Sequence, residues 1–175
     1  MAWTAPMTFV ANTALTAAQM NTYVRDNMLE TAPAKATTSG SIFVGNGPNS
    51  IVERYVASAY VAASQQTTST TYTDLATVGP QVTVTTGVQA MVFVYASALN
   101  SGTASSLFAV EVSGATSIPA ADAYSIGSSA STGYRGTSAF LMTGLTPGSN
   151  TFTGKYKVGA GTGTFQDRRI TVMPL

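Results

Sequence analysis

The chain has 175 residues, with 8 Lys and Arg against 7 Asp and Glu scattered along it, and this net charge of +1, with no basic cluster beyond Asp167-Arg168-Arg169, argues against a nucleic-acid surface. Charged residues make up only 9% of it while Ser and Thr together exceed forty, which places the polarity on hydroxyls suited to β surfaces. Cys and His are absent, excluding disulfides, thiolate metal sites and the commonest general base, and no window holds the roughly 18 apolar residues of a membrane helix. The expectation is a soluble chain without membrane insertion.

The opening arm carries Trp3, Pro6, Phe9 and Val10, and Trp3 is the only Trp in the chain. Thr16-Ala-Ala-Gln19 fits a capping box and predicts a helix over about residues 16–31, stopped by Pro33. Met20, Val24 and Met28 form a narrow apolar stripe at i, i+4 spacing with Tyr23 beside it, whereas Asn21, Arg25, Asp26 and Asn27 are polar. A terminus this apolar needs a partner. Trp3, Phe9, Val10, Met20, Val24 and Met28 are therefore candidate anchoring residues; the alternative is that arm and helix pack on the chain's own β domain. Ala34–Gly40 reads as a linker. Ser41–Val44 and Ser50–Arg54 then read as two short strands around a Gly/Asn/Pro turn, a hairpin over about residues 41–53 that is marginal alone.

From Tyr55 onward the chain reads as one β domain, giving a division into residues 1–54 and 55–175. Runs at Tyr55–Ala63, Thr70–Ala76, Gln81–Thr86, Ala90–Leu99, Ser106–Val112, Ala123–Ile126, Tyr134–Gly144, Asn150–Val158 and Phe165–Pro174 are separated by Gly, Pro, Asn or Ser. Eight or nine short strands without an intervening helical period predict a mainly β fold, an antiparallel sandwich with the jelly roll as the natural choice. Met91–Tyr95 is nearly all apolar, so its strand is expected at the centre of a sheet and covered on both faces, one of them by a partner chain. Thr146-Pro147-Gly148-Ser149 predicts a turn that pairs Ser138–Leu145 with the next strand as a hairpin. Alternation there turns Phe152, Gly154, Tyr156 and Val158 inward and Thr151, Thr153, Lys155 and Lys157 outward. In the closing strand Ile170 and Val172 alternate with Arg169 and Thr171.

Catalytic chemistry finds little footing. Ser is abundant but no His serves as its base, which disfavours a serine hydrolase. Asp26, Glu30, Glu53, Asp74, Glu111, Asp122 and Asp167 are the only carboxylates from which a glycosidase pair could come, and Asp26 with Glu30 on one helix face reads as solvated. The Gly159–Gly163 loop joins two strands and lacks the Lys-Ser/Thr of a phosphate loop. Asp122 alone is too few ligands for Ca²⁺. No enzyme, cofactor or metal is expected. Exposed tyrosines of a β-sandwich can stack on sugar rings, with Tyr72, Tyr124 and Tyr134 as candidates against the alternative that each is buried. The loops Asn100–Ser105 and Ser128–Gly133 are the natural places for variable recognition.

The stretch TTSGSIFVGNGPNSIVERYV resembles the short glycine-rich hairpin that recurs in bacteriophage tail fibres and other virion appendages. The opening WTAPMTFVANTALTAAQMNTYVRDNMLETAPAKAT is similar to the start of structural proteins of actinobacterial phages, often called minor tail proteins. Trp3, Thr16, Ala17, Ala18, Met20, Asn21, Val24, Arg25, Asp26, Asn27, Leu29, Gly40, Gly45, Gly47, Asn49 and Arg54 carry the likeness. TGLTPGSNTFTGKYKV and RRITVMPL resemble the end of the same group. The resemblance implies a virion structural protein at the particle surface, anchored to other virion proteins through residues 1–54. It also implies a homotrimer with no enzymatic activity, minor tail or fibre-like, with host-surface glycan as a further partner. A capsid decoration protein or a carbohydrate-binding module are the alternatives.

Overall fold

The computed structural model describes residues 3–128, 131 and 133–175, and the chain falls into two compact units, Met1–Tyr55 and Val56–Leu175.

In the first unit Thr16 caps the helix as its sequence requires. The Gln19 amide donates to Thr16 Oγ1 at 3.2 Å, and the Thr16 amide donates to Gln19 Oε1 at 2.9 Å. The helix runs through α1 (Ala17–Met20), a π-turn at Asn21–Arg25 and α2 (Asp26–Met28), ending earlier than expected. Pro33 does not stop it. Pro33 lies in the first turn of a separate helical turn, α3 (Ala32–Lys35), where a missing N–H leaves no bond unmade. Strands β1 (Ile42–Gly45) and β2 (Ile51–Arg54) form the expected antiparallel hairpin, whose turn puts Gly47 and Asn49 at φ of 101° and 54°. The Glu53 carboxylate accepts from the amides of Thr37 and Thr38 and from the Thr37 hydroxyl, tying the linker to the hairpin.

The second unit is a jelly roll. Its strands are β3 (Ala57–Val61), β4 (Gln65–Thr67), β5 (Gln81–Thr86), β6 (Gln89–Asn100), β7 (Ser106–Gly114), β8 (Ser125–Ser128), β9 (Tyr134–Thr143), β10 (Gly148–Val158) and β11 (Gly163–Pro174). They make two antiparallel sheets of order β3-β11-β6-β9 and β5-β10-β7-β8, with β4 continuing the edge of β3 along β11. Beyond β5, only β7 and β8 are both consecutive and hydrogen-bonded. Every other connection crosses between sheets, as two interleaved Greek keys demand.

This crossing overturns the expected terminal hairpin. β9 pairs with β6 in one sheet and β10 pairs with β5 and β7 in the other. The expected Pro-Gly turn is not made: Pro147 is only a bend and Gly148 already begins β10, while Leu145 just ahead is buried between the sheets and its amide donates to Val88 O at 3.0 Å, so the chain changes layer there. The expected strand at Thr70–Ala76 is also absent, reduced to one bridge between Thr73 and Tyr156. Local bonds compete with the ladder: Ser69 Oγ donates to Thr71 O at 2.6 Å, and the Ser69 amide donates to Thr67 Oγ1 at 3.1 Å.

Alternation supplies the core. Val82 and Val84, then Val92 and Val94, Phe108, Val110 and Val112, Met142, Phe152, Tyr156, Phe165, Ile170 and Val172 fill the space between the sheets. Phe108 stacks on Tyr156 with ring centroids 5.1 Å apart, and Tyr156 meets Phe165 at 4.9 Å. Gly154 is what lets Phe108 lie across β10, since a Cβ there would come within 2.5 Å of that ring. Thr153, expected outward and exposed, is buried where the Gln81 side chain donates to its hydroxyl at 3.0 Å.

A bulge in β11 breaks the alternation. Register shifts between Gln166 and Arg169, and Asp167 takes a φ of 53°. The extra residue turns Arg168 inward, where its side chain is fully buried. Its Nη2 donates to Ala63 O at 3.2 Å and Gln65 Oε1 at 3.0 Å, and its guanidinium lies 5.2 Å from the Tyr156 ring centroid. Nothing in the sequence pattern distinguishes Arg168 from its exposed neighbour Arg169.

Candidate interaction surface

In the first unit, the residues singled out as anchors are exposed. Phe9 and Val10 are 65% and 69% accessible, and Trp3, Met20, Val24 and Met28 are also open to solvent. What sequence reasoning missed is Asn27, read only as one of the polar residues beside the apolar stripe, which is buried. Asn27 Oδ1 accepts from the Thr4 amide at 2.8 Å, and its Nδ2 donates to Thr4 O at 3.0 Å and Tyr23 O at 3.1 Å. The Trp3 amide donates to Asn49 O at 2.8 Å. The arm is thus tied to the helix and the hairpin of its own unit through backbone groups, while its large apolar side chains stay outside.

In the second unit the two outer faces differ. The β5-β10-β7-β8 sheet presents Thr83, Thr85, Thr151, Lys155, Lys157 and Glu111. Lys155 reaches Asp74 at 2.9 Å and Glu111 at 3.2 Å, and Lys157 reaches Asp122 at 2.7 Å. Burial alone would lower the Lys155 pKa, but the two carboxylates outweigh it and raise the value.

The outer face of β3-β11-β6-β9 is aromatic and aliphatic instead. Met91, Phe93 and Tyr95 of β6 stand in register with Leu141, Ala139 and Thr137 of β9 and with Met173, Thr171 and Arg169 of β11. Phe93 is 39% and Leu141 45% accessible, so the strand around Met91–Tyr95 is central in its sheet but not covered on both faces within its own unit. A shallow depression of about 420 Å³ lies there, lined by Phe93, Tyr95, Thr137, Arg169 and Thr171. At its rim the Tyr60 hydroxyl donates to Asp167 Oδ1 at 2.6 Å, Arg135 Nη2 donates to Asp167 Oδ2 at 2.9 Å, and Arg169 lies 4.9 Å over the Tyr60 ring. The hydrogen bond to Asp167 raises the Tyr60 pKa.

The tyrosines proposed for sugar stacking are already engaged. Tyr72 donates to Asp122 Oδ1 at 2.9 Å, and Lys157 covers its ring at 4.8 Å; burial first, then Asp122, raise its pKa. The same cluster lowers the Asp122 pKa, chiefly through Lys157. Tyr124 packs on Phe140 at 5.5 Å. Tyr134 is exposed, but its ring lies close over Gly136.

Of the two loops expected to recognise partners, Asn100–Ser105 begins with a buried side chain. Asn100 Nδ2 donates to Ser106 Oγ at 3.1 Å and Ala160 O at 3.1 Å, so its first residue is structural. In Ser128–Gly133, residues 129, 130 and 132 lie outside the described residues. Among the described residues, no group of three or more His, Cys, Asp or Glu is placed to hold a metal ion. Comparison with protein-family models found no match, and comparison with curated proteins found none.

Proposed function

We propose that this chain is a non-enzymatic structural protein of a bacteriophage particle, a homotrimeric surface appendage of minor-tail or fibre-like kind. Residues 1–54 engage other virion proteins and the jelly roll faces outward, with host-surface glycan as an accessory partner. One observation carries the reading: Met1–Tyr55 folds as its own compact unit yet leaves Trp3, Phe9, Val10, Met20, Val24 and Met28 exposed, whereas Val56–Leu175 encloses a continuous core. Apolar side chains displayed on a small, internally tied unit are what a docking element presents. The resemblance of the same residues to the openings of phage structural proteins points in that direction.

The test is particle incorporation. Deleting residues 1–40, or combining Trp3→Ala with Val24→Asp, is expected to abolish incorporation while circular dichroism still reports a folded β protein. Incorporation by either variant overturns the anchoring role. Electron microscopy of particles labelled through this protein separates a tail position from capsid decoration.

A further inference from the structure

We propose that the outer face of the β3-β11-β6-β9 sheet is the surface through which copies of this chain associate. This deepens the homotrimer of the proposed function and rests on that reading only for the number of copies. Both sheets bury an inner face, but only this one has an apolar outer centre with a polar rim, the anatomy of a protein interface. Phe93 stands on the interior strand β6 and Leu141 on the edge strand β9 beside it, and Tyr60, Asp167, Arg135 and Arg169 lie at one end.

Size is compatible with a stable association. Strands β11, β6 and β9 share about ten residues and β3 with β4 adds about eight along the edge, which at about 4.8 Å between strands and about 3.4 Å per residue gives a face of roughly 600 Å², close to the roughly 800 Å² that each partner of a standard interface buries once rim contacts are added. Charge favours a second copy as the occupant. Arg169 has no carboxylate partner among the described residues, and Asp167 carries only Tyr60 and Arg135 on a group that can accept about four hydrogen bonds. A neighbouring copy offers its own Asp167, with acceptor capacity left over, as the carboxylate that Arg169 lacks. A saccharide would find Phe93 and Arg169 as well, but it would leave Met91 and Leu141 in water.

The experiment uses the full chain at tens of micromolar in light scattering. Phe93→Glu and Leu141→Glu are each expected to weaken self-association at least a hundredfold and yield a folded monomer, whereas Thr83→Glu on the opposite outer face leaves the oligomer intact. Because the chain has no Cys, Phe93→Cys is a clean second reporter, expected to cross-link between copies with a short bismaleimide while Thr83→Cys does not. A wild-type monomer of 17.9 kDa overturns the proposal, whether or not a saccharide or another virion protein binds the face. An oligomer indifferent to Phe93→Glu also overturns it and leaves the homotrimer standing with its contact elsewhere. A dimer dissolved by these variants keeps this face as the interface and removes the trimer.

Discussion

Asn150→Ala should be among the most damaging single changes in the jelly roll. Asn150 is fully buried at the start of β10, and its side chain bonds three separate segments. Its Oδ1 accepts from the Thr116 amide at 2.8 Å, and its Nδ2 donates to Thr86 Oγ1 at 2.7 Å and to Thr146 O at 3.0 Å. Truncation leaves the Thr116 N–H and the Thr86 oxygen without these partners in a buried place, and each such loss costs about 1–3 kcal/mol. With some relaxation the expected cost is about 3 kcal/mol, against roughly 6–18 kcal/mol for a unit of about 120 residues. In urea, at a slope of about 1.5 kcal/mol/M, the midpoint should fall by about 2 M with the slope unchanged. Thr151→Ala is the comparison, one residue along the same strand. It removes only a surface hydroxyl pair, Thr83 with Thr151 at 2.8 Å, and should cost under about 0.5 kcal/mol. Equal midpoints for the two variants would refute the claim that the buried asparagine, and not strand pairing, holds the three segments together.

Two further predictions concern charge. Arg168→Met should be close to neutral in urea unfolding, within about 1 kcal/mol, because it removes a buried cation with two unpartnered nitrogens while orphaning Ala63 O; a loss above about 3 kcal/mol would show that the cation stabilises the bulge. Hydrogen bonds from the Ser41 and Thr37 hydroxyls and the Thr37 and Thr38 amides lower the Glu53 pKa to about 2. A depressed carboxylate stabilises the fold above its unfolded value of about 4.5, and that contribution disappears as pH falls through the folded value. The linker should thus loosen between about pH 4.5 and pH 2, seen as faster hydrogen exchange at Thr37 and Thr38, and Glu53→Gln should remove the pH dependence. Unchanged protection across that window would refute the tie.

Much of the fold follows from local pattern alone. The capping box at Thr16 and Gln19, the Gly/Asn turn between β1 and β2, and the inward set Phe152, Gly154, Tyr156 and Val158 are all properties of neighbouring residues, since backbone geometry fixes a period of two in a strand and the reach of a side chain at a helix start. The apolar character of the arm was legible too, but the exposure of Phe9 and Val10 was not, because whether distant segments cover a side chain is settled only by the packing. The same holds for the tyrosines. Whether Tyr72 is free depends on Lys157 and Asp122, which lie far along the chain.

What the sequence by itself determined is which residues face inward along most strands and that many short strands would close into a sandwich. Tertiary structure alone decided how those strands were dealt between the sheets. A Pro-Gly pair looks the same in sequence whether it joins paired strands or carries the chain across the core, and only closure of both sheets at once selects the crossing at Leu145. It also decided the burial of Asn27, Asn100, Asn150 and Arg168. A polar side chain goes inside only where distant backbone groups need its hydrogen bonds, and that need exists only after the chain has folded around it.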